Sequence, residues 1–174
     1  NFVGWQYQKN GISIQEKIEQ VFRRILNKKI KIVGAGRTDK GVHALNQCAH
    51  FKISTEIKDL KKFLNSVNFF LKKFLIKIIE IKKKNLDFHA RFSAKERIYE
   101  YLIINRSSPL SLSQKRAWHL KKKLDFNLLK KGAKILEGKH DFSTFRASSC
   151  SSKSPVKKMN AVKVKKNGNN IYIT

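Results

Sequence analysis

The sequence predicts an α/β protein with a mixed, largely antiparallel sheet and helices on one face. Apolar residues recur at helical spacing in three segments, and short segments rich in β-branched residues lie between them. The connections between these segments are short. With 174 residues and 41% hydrophobic residues, the chain can bury a real core as one domain or two small fused ones.

Three helices are predicted, each beginning at a residue type that caps helices. The first covers residues 13–26, where Ser13 and Glu16 form a capping box. The other two are predicted over residues 56–71, behind Ser54 or Thr55, and from a cap at Asp125 to a stop at Gly138.

Strands are predicted where β-branched residues concentrate or apolar and polar residues alternate. The predicted strands are residues 29–33, 46–53, 74–82 and 97–105, followed by a hairpin of 161–166 and 170–174 around Asn167-Gly168. The polar stretch 106–115 connects two halves. We therefore expect an N-terminal αβ half at residues 1–105 and an incomplete C-terminal αβ half at residues 106–174.

The charge of the chain predicts a polyanionic partner, with nucleic acid first among the candidates. Lysine and arginine number 39 against 12 acidic residues, for a net charge of +27. The composition of an AT-rich genome would account for many of the lysines equally well, so the eight arginines are the better guide to function. Two cysteines, Cys48 and Cys150, form no disulfide framework, which favours a reduced, cytoplasmic compartment.

The most informative segment is residues 34–44, with the sequence GAGRTDKGVHA. Its glycines resemble nucleotide-binding loops, but Val42 and His43 stand where a phosphate loop needs Lys and Ser or Thr, and the dinucleotide fingerprint lacks its third glycine. What remains is Asp39 between two cations, Arg37 and Lys40. Adjacent cations favour an ionised carboxylate that serves as nucleophile or base, although such an Asp also caps ordinary turns.

The block 34–44 resembles the signature of the tRNA pseudouridine synthase A family. Further blocks of the chain resemble that family in the same order: Phe2-Val3-Gly4-Trp5-Gln6, then Ser13-Ile14-Gln15-Glu16, then residues 87–94 (DFHARFSA) with Tyr99-Glu100-Tyr101, and finally residues 141–147 (DFSTFRA) with Cys150 and Pro155. The resemblance implies two RRM-like (ferredoxin-like) halves of the pseudouridine synthase fold. It also implies segments before Asn1 and after Thr174, so we expect the isolated chain to be weakly active or inactive.

The resemblance implies that Asp39 is the nucleophile of an isomerase that converts uridine to pseudouridine in the anticodon stem-loop of tRNA. Arg37 would pair with the Asp39 carboxylate and hold the space left by the displaced uridine, and Tyr99 would stack on the target base. The reaction needs no cofactor and no metal. The family usually acts as a homodimer, and Arg91 and Arg146 would lie in the tRNA cleft.

Two other functions stay open on the residues alone. A degenerate relative would be a non-catalytic RNA-binding module, and an enzyme using the glycine-rich loop would hydrolyse nucleotides. Cys48 and His50 share a face of a predicted strand, but nothing near them has the spacing of a zinc site. Tyr101, on the same strand face as Tyr99, is expected either in the core or as a second wall of the uridine pocket.

Overall fold

A computed structural model describes residues 2–146 and 154–174. Its helices are α1 (Ile14–Leu26), α2 (Leu60–Leu71) and α3 (Phe126–Leu136). Its strands are β1 (Val33–Gly34), β2 (Ala49–His50), β3 (Tyr101–Asn105), β4 (Trp118–Leu120), β5 (Gly138–Asp141), β6 (Val156–Met159), β7 (Val164–Asn167) and β8 (Asn170–Ile173). The predicted α/β class with mixed, largely antiparallel pairing is confirmed.

The chain divides into two compact units, Asn1–Glu96 and Arg97–Thr174. The division falls before the expected boundary at 105/106 because strand β3 pairs with β8, at the far end of the sequence. The proposed catalytic loop therefore belongs to the first unit, while the segment from Arg97 onward belongs to the second.

The core of the first unit lies between α1 and α2. The ring of Phe22 on α1 meets Phe63 on α2 at 5.2 Å and Phe51, just after β2, at 4.9 Å, both edge to face. Val67 and Leu71 of α2 are completely buried. These contacts follow from the helical spacing of apolar residues, which places one stripe of each helix against the other.

Replacing Leu71 with alanine is expected to lower the free energy of unfolding by about 2–5 kcal/mol, because the lost side chain leaves a cavity in a fully packed core. Leu75 is the matched control, since its side chain is 99% exposed and Leu75→Ala removes no buried contact. Urea unfolding of both variants measures the difference. Equal destabilisation by the two substitutions would contradict this packing.

The second unit contains a four-stranded sheet in the order β4-β3-β8-β7. Strands β3 and β4 are parallel, and the other pairs are antiparallel. Ile103 and Ile171 pair across β3 and β8 and are both buried. Strands β5 and β6 form a separate antiparallel pair. The segment 147–158, rich in serine and lysine, is predicted from the sequence to be a loop; its end belongs to β6, and residues 147–153 lie outside the described residues.

Three local predictions need correction. Helix α2 begins four residues later than expected because Asp59, whose carboxylate accepts the Lys62 amide at 2.8 Å, caps it in place of Ser54 or Thr55. The hairpin turn is Gly168-Asn169 rather than Asn167-Gly168, since Asn167 pairs with Asn170.

The third correction concerns residues 74–82, which were predicted as a strand. Among the described residues no ladder includes this segment. The Asn68 side chain instead donates to the Ile78 carbonyl at 2.9 Å and accepts the Ile78 amide at 2.8 Å. A side chain of α2 thus satisfies the backbone groups that a neighbouring strand would otherwise bind.

Of the helices in the described ranges, none has the length and apolar content needed to cross a bilayer.

Candidate active site

The loop that carries Asp39 leaves strand β1 and returns through β2. The Ala35 amide donates to the Cys48 carbonyl at 2.8 Å, which extends the β1–β2 pairing into the loop. The Gln47 side chain then donates to the Gly36 carbonyl at 2.6 Å. Both bonds hold the two ends of the loop together beside β1 and β2, and we call these two strands with their bonds the β1–β2 frame. Asp39 lies at the tip of the loop, away from this frame.

The opening segment of the chain holds the other side of the loop. The Trp5 amide donates to the Thr38 carbonyl at 3.0 Å, and Gly4 and Asp39 form an antiparallel bridge. Gly4 has a φ of +126°, and a β-carbon there would lie 2.6 Å from the Thr38 carbonyl oxygen. Only glycine combines this backbone conformation with so close an approach.

The same segment caps the first helix. The amides of Ile14 and Gln15, at the start of α1, donate to the carbonyls of Gly4 and Trp5 at 3.1 Å and 3.0 Å. These amides have no acceptor within the helix itself. Ser13 completes the end by accepting the Glu16 amide at 3.1 Å, which confirms the predicted cap. Residues 4 and 5 therefore join α1 to the Asp39 loop.

Side chains of α1 also fix the strand from which the loop starts. Gln15 donates to the Ile32 carbonyl at 3.1 Å, and the Glu19 carboxylate accepts the Ile32 amide at 2.8 Å. The Trp5 indole, 7% exposed, packs directly on Gly34, where an added β-carbon would lie 2.6 Å from the indole nitrogen. The base of the loop is thus packed as tightly as a core.

Asp39 itself is exposed, in contrast to the residues that hold its backbone. Its carbonyl accepts the Val42 amide at 3.2 Å, in a turn where Gly41 has a φ of +85°. The ion pairs Lys82–Glu80 and Lys83–Glu56 of the described ranges do not include its carboxylate. The pairing with Arg37 stays a prediction.

The other predicted site residues lie in both units. Arg37 is exposed two residues before Asp39 in the same loop. Tyr99 belongs to the second unit, where it precedes β3 and is 63% exposed. Tyr101, at the start of β3, is 70% exposed, which rules out a core position for it. Arg146 is exposed at the end of the described range.

Sequence reasoning missed a pair of histidines beside this frame. His50 lies on β2 opposite Val33, and its Nδ1 accepts the Ala90 amide at 3.1 Å. Nδ1 of His89 accepts the next amide, that of Arg91, at 3.2 Å, and the two imidazole rings are 4.6 Å apart. Both histidines lie in or beside blocks that resemble the family, but no spacing in the sequence indicates that they meet.

The environment of His50 favours its neutral form. Burial lowers the pKa of His50 most, and the nearby charges of His89 and Lys52 lower it further, while a hydrogen bond with the Val33 backbone acts in the opposite direction. A neutral imidazole keeps a lone pair on Nδ1, which the Ala90 amide requires.

No group of three or more His, Cys, Asp or Glu side chains in the described ranges is arranged to hold a metal ion. Cys48 is a free, exposed thiol, and Cys150 lies outside the described residues.

Comparison with known proteins places this arrangement in a family. The sequence model described as tRNA pseudouridine synthase matches residues 1–93 and 133–174, which include the Asp39 loop and the block 87–93. The tRNA pseudouridine synthase A of Pelagibacter ubique strain HTCC1062 is 52% identical over 173 residues, covering 99% of this chain and 70% of that protein.

Two further relatives bear the same name. The protein of Wolbachia pipientis wMel is 41% identical over 174 residues, covering 99% of this chain and 71% of its own length. The protein of Ehrlichia canis strain Jake is 44% identical over 165 residues, covering 94% of this chain and 67% of its own length. These similarities define the chain as an enzyme of the isomerase class. It belongs to the tRNA pseudouridine synthase family.

Proposed function

We propose that this protein converts uridine to pseudouridine in the anticodon stem-loop of tRNA, with Asp39 as the nucleophile. The observation that carries the proposal is the contrast at the loop tip. The backbone of Thr38 and Asp39 is bound to the opening segment, while the Asp39 carboxylate stays exposed. A nucleophile needs both a fixed position and access to its substrate.

The chemistry fits a carboxylate acting without a cofactor. In the proposed reaction Asp39 attacks the sugar or the base, the bond between ribose C1′ and uracil N1 breaks, and the base turns. A new bond then joins C1′ to C5 while the bond to Asp39 breaks and frees the carboxylate, C5 loses its proton, and N1 gains one. Substrate and product are isomers, so no oxidant, reductant or metal enters the balance.

Arg37 and Tyr99 complete the proposed uridine site. A base must leave its helical stack to reach Asp39, and extrusion costs a few kcal/mol. Arg37, on the same loop, would occupy the space that the extruded uridine leaves, and its five N–H donors suit phosphate or base oxygens. Tyr99 is exposed enough to stack on the uracil, a contact worth about 1–3 kcal/mol.

The proposed partner is tRNA, a polyanion that a chain with a net charge of +27 attracts. We include the homodimer and a cytoplasmic location in the same proposal. The free thiol of Cys48 agrees with a reducing compartment, and sedimentation of the intact gene product with and without tRNA measures the dimer.

The proposal is tested by mapping the product. The intact gene product is incubated with tRNA transcripts in which single anticodon-arm uridines are replaced by cytidine, and pseudouridine is located by mass spectrometry. We expect pseudouridine in the transcript that keeps all its anticodon-arm uridines, and none when the target uridine is replaced by cytidine. A protein that binds all these transcripts and forms no pseudouridine would be the RNA-binding module instead.

A further inference from the structure

Two consecutive backbone amides, Ala90 and Arg91, donate to two histidines whose rings are in contact. Ala90 donates to Nδ1 of His50 at 3.1 Å, and Arg91 donates to Nδ1 of His89 at 3.2 Å. The His50 and His89 rings lie 4.6 Å apart. Each imidazole accepts only while its Nδ1 is unprotonated.

The bond between His50 and Ala90 attaches a compact turn, residues 87–93, to strand β2 beside the Asp39 loop, while the bond between His89 and Arg91 lies within the turn. Within the turn, the His89 carbonyl accepts the Phe92 and Ser93 amides at 3.0 Å and 2.8 Å, and Ser93 Oγ accepts the His89 amide at 3.1 Å. Ala90, at its centre, is only 2% exposed. His50 on β2 is therefore the side chain that connects this turn to the β1–β2 frame.

The outer side of the turn faces a basic groove. The groove has a volume of about 490 Å³ and is lined by Lys83, Lys84, Asn85, Asp87, Phe88 and Ser93. Arg91 is exposed next to it in sequence, directly after the amide that His50 binds. A shift of the turn would move the Arg91 backbone and one wall of the groove together.

We propose that His50 and His89 are positioning residues whose Nδ1 atoms, as hydrogen-bond acceptors, hold the turn 87–93 so that Arg91 and the groove contact tRNA phosphates. The proposal rests on the proposed function for its substrate and adds the residues that place one part of the RNA-binding surface. Neither histidine is assigned a role in the bond-breaking step.

Protonation has a defined consequence in this arrangement. The groups that face His50 are Lys52, two residues further along the chain, the Val33 backbone on β1, and His89 on the turn, and the centroids of the His50 and Phe88 rings lie 6.1 Å apart. Asp87 and Arg91 are the other charged residues of the turn. A proton on Nδ1 of His50 removes the acceptor for Ala90 and places two cations 4.6 Å apart if His89 is also charged.

The direction in which tRNA binding changes with pH distinguishes a positioning role of His50 from a purely electrostatic one. Added positive charge alone would strengthen binding to a polyanion as the pH falls. If protonation of His50 releases the turn, binding to tRNA should instead weaken as the pH falls. Loss of one hydrogen bond corresponds to about threefold to tenfold in affinity. The KM for tRNA should therefore rise by that factor between about pH 7.5 and a pH below the lowered pKa of His50, with a smaller change in kcat.

Asparagine provides the matched variants, because its Oδ1 takes the place of the histidine Nδ1 and does not titrate. The double variant His50→Asn/His89→Asn should keep the low KM at both pH values. His50→Ala should show the raised KM already at about pH 7.5. A double-Asn variant with the same pH profile as the parent protein, or a His50→Ala variant with the parent KM, would overturn the proposal.

A binding experiment separates this proposal from the proposed nucleophile. In Asp39→Asn protein, tRNA affinity and the NMR shift of the Ala90 amide are followed together against pH. We expect both to change with the His50 titration. If the amide shift does not follow His50, the positioning role is wrong whatever Asp39 does; if Asp39→Asn protein still forms product, the nucleophile is wrong whatever His50 does.

The coupling to Arg91 is tested by a double-mutant cycle. Arg91→Gln should weaken tRNA binding, and adding His50→Ala should then cost little more, because the side chain that His50 positions is gone. Fully additive losses would show that His50 acts elsewhere. Thermal unfolding of each variant reports whether a loss of binding reflects unfolding instead. His50→Leu, which also lacks an acceptor, replaces His50→Ala in the cycle if the alanine variant does not fold.

Discussion

Asp39→Asn is expected to reduce pseudouridine formation by at least about a thousandfold, a drop typical of losing a residue that reacts with the substrate. The amide has nearly the same shape as the carboxylate but lacks the charge that makes it a nucleophile. Because the Asp39 side chain is exposed, stability should change by less than about 0.5 kcal/mol. Affinity for tRNA should stay within about threefold, since one negative charge near a polyanion is removed.

Single-turnover assays on the intact gene product measure the rate, and filter binding measures the affinity in the same samples. Asp59→Asn is the matched control, since Asp59 caps α2 and lies outside the loop. It should leave the rate within about twofold at a small cost in stability. Product formation by Asp39→Asn at the rate of this control would rule out the nucleophile.

Gly4→Ala is the second substitution for which we expect a large effect. The β-carbon of an alanine at this position would lie 2.6 Å from the Thr38 carbonyl oxygen, and the alanine backbone would have to adopt a φ of +126°. The backbone conformation alone costs about 1–3 kcal/mol. Because Gly4 bridges to Asp39, the relief of this clash displaces the proposed nucleophile, and a displacement near 1 Å should lower kcat by up to about a hundredfold.

Gly36 offers a control within the same loop. A β-carbon on Gly36 would meet no atom within 4 Å, so Gly36→Ala should fold normally. Circular dichroism melts and kcat on tRNA are compared for the two variants. If Gly36→Ala and Gly4→Ala lose stability and kcat to the same extent, the loop is simply intolerant of side chains, and the bracing by the opening segment is not what places Asp39.

Local signals predicted the helices well. The caps Ser13 and Asp125 were identified because each helix end leaves amides that a nearby side chain must accept. Asp59 was missed because Ser54 and Thr55 are equally good caps in sequence. Only the packing of α2 on α1 decides which of them begins the helix.

Strands were predicted less accurately because a strand needs a partner that the sequence does not show. Residues 74–82 have the composition of a strand, yet the Asn68 side chain takes the backbone groups of Ile78. The same limit applies to the candidate site. Resemblance indicated Asp39, but the contact of His50 with Ala90 spans 40 residues and follows no local pattern.

The position of Trp5 has a practical consequence for spectroscopy. The chain has two tryptophans, of which Trp5 is buried against Gly34 at the base of the loop and Trp118 is 64% exposed. A Trp118→Phe protein would therefore carry a single indole fluorophore next to the Asp39 loop. Its emission maximum, at short wavelength while the indole is shielded from water, would shift to the red when the loop base opens, giving an optical signal for that region without any added label.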